Sequence, residues 1–268
     1  MYPFFSLFGR EIAMYGLMCV VAAFVSVGFA ASRAKKYGVE ARDVLYMSIF
    51  AVIGAIVGAK ALGILIFLVQ VAVHLGKIVE AGFGLWDIIF SAFAETGIVF
   101  FGGLIGGSAG GLIYLKMYKL SVPVFVDIAA PCIPLAHAVG RVGCFLAGCC
   151  YGVESKWGVM FDSPAAPAGR LLLPVQLIES DVNLLLAVVI LLYERLRRPE
   201  NDGRGKSLLL YLVLYSVSRF TLEFWRGDAA RGLYFGISTS QIISFLIFIA
   251  ATAMFRLTKT KPRGIIEV

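Results

Sequence analysis

The apolar residues of this chain come in unbroken blocks about as long as a bilayer is thick, and that feature limits what it can fold into. A helix needs roughly 20 apolar residues to cross about 30 Å of hydrocarbon. Blocks of this kind occupy 12–32, 44–73, 93–115, 123–148, 175–193, 207–225 and 237–255. With 60% hydrophobic and 15% charged residues, the chain has too little polar surface to coat a water-soluble fold. In hydrocarbon every backbone amide must find its partner within the protein, so the blocks are read as helices. The expectation is an all-α polytopic integral membrane protein with seven transmembrane helices, one membrane domain over residues 1–268. The weaker stretch 77–92 suits a helix lying on the membrane surface.

Charge placement sets the expected orientation. Of 24 Lys and Arg, 15 fall in the loops after the first, third, fifth and seventh blocks, Arg195, Arg197, Arg198, Arg204 and Lys206 being the densest group. Lys and Arg are retained on the cytoplasmic side, which puts the N-terminus outside and the C-terminus in the cytoplasm. The net charge of +7 is therefore a topology signal, and no nucleic-acid partner is expected. Residues 149–174, polar and Pro-containing, become a small outward-facing head, with Trp157 and Phe161 as its apolar anchor. The N-terminus lacks a basic region followed by a short apolar stretch and a cleavage site, so the first span is expected to remain in the mature protein.

Three basic residues, Lys60, Arg141 and Arg219, lie inside or at the edge of apolar blocks. An Arg at the bilayer centre costs about 2.5–3.5 kcal/mol on insertion scales, so it is normally kept for a partner or a ligand. Acids at similar depth are Glu179 and Glu223. On a helix, Tyr215, Arg219, Glu223 and Arg226 form one polar stripe, and His137 lies one turn before Arg141. One reading is a set of buried ion pairs that locks the bundle. The other is a phosphate ester headgroup held by converging guanidiniums, which meet phosphate through paired, charge-assisted hydrogen bonds. The glycines of "FFGGLIGGSAGG" allow helices or a lipid to approach the backbone closely.

Several segments carry a resemblance. "YGLM" at Tyr15–Met18, "FFGGLIGG" at Phe100–Gly107, "DIAAPCIPLAHAVGRVGCFLAG" at Asp127–Gly148, "PVQLIE" at Pro174–Glu179, "YSVSRFTLEFWR" at Tyr215–Arg226 and "STSQIIS" at Ser238–Ser244 occur in the order seen in bacterial prolipoprotein diacylglyceryl transferases. The chain resembles that family over nearly its whole length. The resemblance implies an enzyme of the bacterial inner (plasma) membrane, its active site towards the outer face. Such an enzyme moves the diacylglyceryl group of phosphatidylglycerol to the lipobox cysteine of a preprolipoprotein signal peptide. Glycerol phosphate leaves, and no cofactor is needed. It also implies roles. Arg141 and Arg219 would hold the phosphate. Glu179 and Glu223 would order those arginines or the substrate. Tyr15 and Tyr215 would line the pocket together with Arg226, and Gly103 and Gly140 would give close packing.

The chain departs from the family pattern at three places. Phe101 stands where many members carry a histidine assigned as the base, Cys144 where many carry asparagine, and Leu173 where many carry histidine before the proline. His137 becomes the remaining candidate base, since imidazole changes charge near neutral pH. The alternatives are a divergent paralogue with another acceptor, and a non-catalytic lipid-binding or lipid-transporting membrane protein.

The string "GRVGCFLAGCCYG" holds three of the five cysteines. Leu146 to Cys149 spells a lipobox, but far inside the chain, and is read as a chance match. Buried thiols are the default. Cys144, Cys149 and Cys150 with His137 could supply four metal ligands, but no Cys-x-x-Cys pair is present, so no metal is expected. A disulfide from Cys149 or Cys150 stays open, with Cys132 the nearest other partner in sequence.

Overall fold

A computed structural model of the chain describes residues 3–7, 9–74, 84–94, 99–163, 166–196, 205–227, 233–234 and 236–258. These residues are predominantly helical and fall into two compact units, one of residues 1–37 and 123–268, the other of residues 38–122.

The first unit opens with a hairpin of β1 (Phe4–Leu7) and β2 (Arg10–Ala13), followed by α1 (Met14–Ala34). The second unit holds α2 (Ala41–Val73), α3 (Leu85–Ala94) and α4 (Phe100–Met117). The chain then rejoins the first unit through α5 (Val122–Ala129), α6 (Cys132–Ala147), β3 (Glu154–Met160), β4 (Leu171–Leu172), α7 (Val175–Leu196) and α8 (Lys206–Leu222). The short strands β5 (Leu233–Tyr234) and β6 (Ile237–Ser238) lead into α9 (Thr239–Leu257).

Among the described residues, six segments are long and apolar enough to cross a membrane, against the seven expected. The difference lies at 93–115, where α4 has 18 residues and six glycines, which add little hydrophobicity. The surface-helix expectation at 77–92 corresponds in part to α3; residues 77–83 lie outside the described residues. The second block, expected to tilt or break, is one continuous helix of 33 residues. At 1.5 Å per residue α2 is about 50 Å long. The fourth block is two helices, α5 and α6, because Pro131 has no N–H to continue the ladder.

Small residues replace the hydrophobic core in the second unit. A Cβ on Gly106 would come within 2.1 Å of the Gly54 carbonyl, and one on Gly102 within 2.4 Å of the Gly58 carbonyl. The backbones of α2 and α4 thus touch directly, which is how helices gain dispersion energy in a solvent as apolar as themselves. Outward residues such as Ile56 and Val57 are largely exposed, as lipid contact allows.

The first unit packs α1 on α6, α6 on α7, α7 on α8 and α8 on α9. Ala130, Leu186, Ile190 and Tyr211 form one buried cluster. A buried ion pair crosses it at one end. Arg33 reaches Glu194 at 2.5 Å, with Tyr37 Oη at 3.2 Å, and Lys36 lies 3.9 Å from Glu194. Arg33, assigned to a loop by topology, is 8% exposed.

The insert 149–174 is a two-stranded antiparallel head, β3 with β4. Trp157 is exposed, but Phe161 is buried with Tyr151 and Leu172. Phe161 therefore forms the head's own core rather than an anchor. The head is fastened to the end of α8. Val153 N donates to Trp225 O at 2.9 Å and Gly227 N to Tyr151 O at 3.0 Å. Only glycine fits there: a Cβ on Gly227 would come within 2.2 Å of the Gly152 carbonyl.

Candidate active site

The break at Pro131 lets α6 start afresh, and α6 carries His137 and Arg141 one turn apart. Helix α7 lies against it and presents Glu179. Arg141 Nη2 is 2.9 Å from Glu179 Oε1, and His137 Nε2 is 3.4 Å from the same oxygen. Arg141 Nε donates to His137 Nε2 at 3.2 Å, closing a triangle. Ser180 Oγ, the next residue on α7, donates to Ala138 O at 2.9 Å and pins the two helices beside it. The Glu179 side chain is 2% exposed and that of Arg141 15%. A buried ion pair of this kind stands only if its members stay paired, since removing one strands the other charge.

On α8, Arg219 Nη2 lies 2.8 Å from Glu223 Oε2 and donates to Ser240 Oγ at 3.1 Å. Ser240 is on the first turn of α9, which Ser238 and Gln241 close with a reciprocal capping box. The Nη1 group of Arg219 is buried without a hydrogen-bond partner among the described residues. Tyr215 joins the two halves. Its ring lies 5.5 Å from that of His137 and stacks on Tyr211 at 5.5 Å. Tyr215 is within electrostatic reach of Glu179, Arg219, Arg141 and Arg226. Glu179 likewise feels both Arg141 and Arg219.

Three helices and the turn that follows α8 thus bring together Arg141, His137, Glu179, Arg219, Glu223 and Tyr215. The expected stripe on α8 needs one correction. The helix ends at Leu222, Glu223–Trp225 tighten into a 3₁₀ turn, and Arg226 is extended, its backbone bridged to Gly152. The pull of the head on residues 225–227 ends the helix, so Arg226 leaves the stripe while its charge stays near Arg141. Tyr15, half exposed at the start of α1, is within reach of Cys144 and Cys149 at the end of α6.

The close packing expected at Gly103 and Gly140 falls on other residues. Gly103 belongs to the second unit, where its Cβ would make only ordinary contacts at 3.6 Å, and a Cβ on Gly140 would meet nothing within 4 Å. The tight glycine of α6 is Gly143, whose Cβ would come within 2.8 Å of Met18 Cβ. Gly140 instead leaves open space beside Arg141. All five cysteines are free thiols. Cys132 bonds to the Ile128 carbonyl at 3.3 Å instead of reaching Cys149 or Cys150. The Cys150 thiol is held below its ordinary value by hydrogen bonds from Cys144 and Cys149, with Arg226 and Arg141 adding to the effect.

Residues 3–257 match the family model of prolipoprotein diacylglyceryl transferase. The chain belongs to this family. Relatives match it over nearly its full length. The phosphatidylglycerol–prolipoprotein diacylglyceryl transferase of Clostridium tetani is 36% identical over 262 residues, 97% of this chain and 98% of that protein. A protein of Clostridium perfringens with the same description, numbered 2, is 33% identical over 96% of this chain and 95% of its own length. One from Campylobacter jejuni is 30% identical over 97% and 94%.

In this family member two supporting residues escaped the sequence reading. Gln176, 1% exposed, donates from Nε2 to Cys149 O at 2.6 Å and so ties α7 to the end of α6. Ser240 bonds Arg219. Both lie inside quoted motifs, "PVQLIE" and "STSQIIS". A buried amide next to a glutamate and a Ser-x-x-Gln cap were the available signals.

Proposed function

We infer that the chain transfers the diacylglyceryl group of phosphatidylglycerol to the lipobox cysteine of a preprolipoprotein. The carrying observation is the convergence of two arginines, Arg141 and Arg219, on the buried Glu179, with Arg219 Nη1 without a hydrogen-bond partner among the described residues. Paired guanidiniums suit a phosphate, and the open side of Gly140 gives a headgroup room beside Arg141.

The substrate thiol sulfur attacks the glycerol carbon that bears the phosphate. A C–S bond forms, the C–O bond breaks, and the phosphate oxygen keeps the electron pair as glycerol phosphate departs. Arg141 and Arg219 stabilise the charge that develops on that oxygen. Glu223 and Ser240 hold Arg219 by one nitrogen, leaving Nη1 to donate to phosphate. His137 Nε2 takes the thiol proton. While neutral, that nitrogen accepts from Arg141 Nε; once protonated it donates to Glu179 Oε1 instead. Proton uptake therefore releases Arg141 Nε towards the leaving group as charge builds there. Tyr215, Tyr15 and Arg226 border the lipid headgroup.

The enzyme acts in the bacterial plasma membrane with the site towards the outer face. Purified chain in phosphatidylglycerol vesicles should add a diacylglyceryl mass to a lipobox peptide with release of glycerol phosphate. Lipid binding without any thioether product would sink the reading in favour of a non-catalytic lipid-binding protein. Product with a different thiol acceptor but not with the lipobox peptide would identify a paralogue with another acceptor. Phe101, at the position where many members carry histidine, is the observation behind that second reading. Orientation is tested by placing a cysteine at Arg197, which lies outside the described residues. It should react with a membrane-impermeant reagent only from the cytoplasmic side.

A further inference from the structure

We propose that Cys144, Cys149 and Cys150 form a binding site for a soft, thiophilic metal ion. In sequence they lack the Cys-x-x-Cys spacing of common zinc sites. Folding supplies what spacing does not: their three sulfurs all lie within 4.8 Å of one another. Three thiolates around one ion at about 2.3 Å, in a plane, stand about 4 Å apart, so the site needs to contract by less than about 1 Å.

The backbone builds this cluster in a definite way. Cys144 lies on the last turn of α6, and Gly148 ends the helix in the left-handed region, φ 72°. That cap sends the chain back, so that Cys149 N donates to Cys144 O at 3.1 Å. Cys150 then also takes a left-handed conformation, φ 60°, which a residue with a Cβ seldom adopts. Gln176 fixes the loop from below through the Cys149 carbonyl. Cys144 is buried while Cys149 and Cys150 are half-buried, so the trio has a closed floor and an accessible side.

The donor set decides the class of ion. Three thiolates with no imidazole or carboxylate among them favour soft ions such as Cu⁺, Cd²⁺ or Zn²⁺ over hard ones such as Mg²⁺. On binding, each S–H gives its proton to solvent as its metal–sulfur bond forms, with no change of oxidation state. The excess negative charge of three thiolates is offset by Arg141 and Arg226, both within electrostatic reach of Cys150. Such an ion would fasten the end of α6, three residues after Arg141, to the loop entering the head.

The test uses the full chain, reduced and desalted in detergent without oxygen, titrated with Cd²⁺. The thiolate-to-cadmium charge-transfer absorption should saturate at one ion per chain. Bound Cd²⁺ should protect Cys149 and Cys150 from maleimide while exposed Cys19 still reacts. Cys144→Ser and Cys150→Ser should each weaken binding by more than about tenfold, the loss that even an outer-shell change can produce. Cys19→Ser should leave the titration intact. If Cys150→Ser misfolds, the maleimide pattern of the native chain still decides. Saturation unaffected by Cys144→Ser and Cys150→Ser, or alkylation of Cys149 and Cys150 at full rate in Cd²⁺, would overturn the proposal. So would a disulfide among the three in protein kept reduced.

Discussion

Helix α7 carries two buried glutamates, Glu179 near its start and Glu194 near its end, and their surroundings differ in kind. Fifteen residues of helix separate them by about 22 Å. Glu194 holds Arg33 at 2.5 Å and Lys36 at 3.9 Å, and Asp127 lies close by, its backbone carbonyl 3.5 Å from Arg33. Two cations meet two acids there, and Asp127 further accepts from Gly205 N at 3.0 Å, fastening α5 to the entry of α8. Glu179 faces Arg141, with Arg219 nearby, and Arg219 is itself paired with Glu223. It also touches a titratable ring, His137. Burial and an ion pair are common to both clusters. Their surroundings distinguish them: the Glu179 end adds a second arginine, Arg219, and the open space at Gly140, where an anion could be held as well.

The sharpest way to break this contrast is to remove one arginine from each end. Arg141→Ala should slow transfer to a lipobox peptide by about 10³-fold, the loss seen when one preorganised donor to a developing oxyanion is deleted. Arg33→Ala should leave the rate per folded molecule unchanged and lower stability by about 3 kcal/mol, since Glu194 is then left with Lys36 alone, at 3.9 Å. Rates in vesicles and thermal unfolding in detergent separate the two. Equal loss of rate in both variants would erase the distinction.

A smaller effect sharpens it. His137→Ala should slow transfer by about 10²-fold while lipid binding is kept. An unchanged rate would mean that the arginines alone suffice to ionise the thiol. The smallest change is expected from Phe101→His, a modest rise in rate from restoring the group many relatives carry. A fall would show that the aromatic ring has its own role on α4.

Much of this was readable from residue order. Long apolar runs announced the helices because hydrocarbon tolerates few other backbones. Arg141 and Arg219 stood out because charge is costly there. Other features depend on partners distant in sequence, which no local pattern announces. Arg33 read as an ordinary loop cation until Glu194, 161 positions later, came beside it. Arg226 kept helical spacing with Glu223, yet the head's backbone drew residues 225–227 out of the helix. Phe161 read as an anchor together with Trp157 because both are large aromatics in a polar insert; the fold buries Phe161 with Tyr151 and Leu172 and leaves Trp157 exposed. Gly140 and Gly143 are indistinguishable in sequence, and only the position of α1 makes the second indispensable.

The seam between the head and the end of α8 bears on traffic. Backbone hydrogen bonds join Tyr151 and Val153 to residues 225–227, and others join Gly152 and Val153 to Leu173 at the entry of α7. A flap that lifted to admit a lipid would have to tear all of these at once, and the glycines that allow the seam leave no side-chain slack to replace them. So fastened, the head would act as a wall and not as a flap. A two-chain lipid and its acceptor would then arrive sideways, out of the bilayer, and the spent headgroup would need a different exit. Loading and discharge would be divided between separate doors, neither with a hinge at the head.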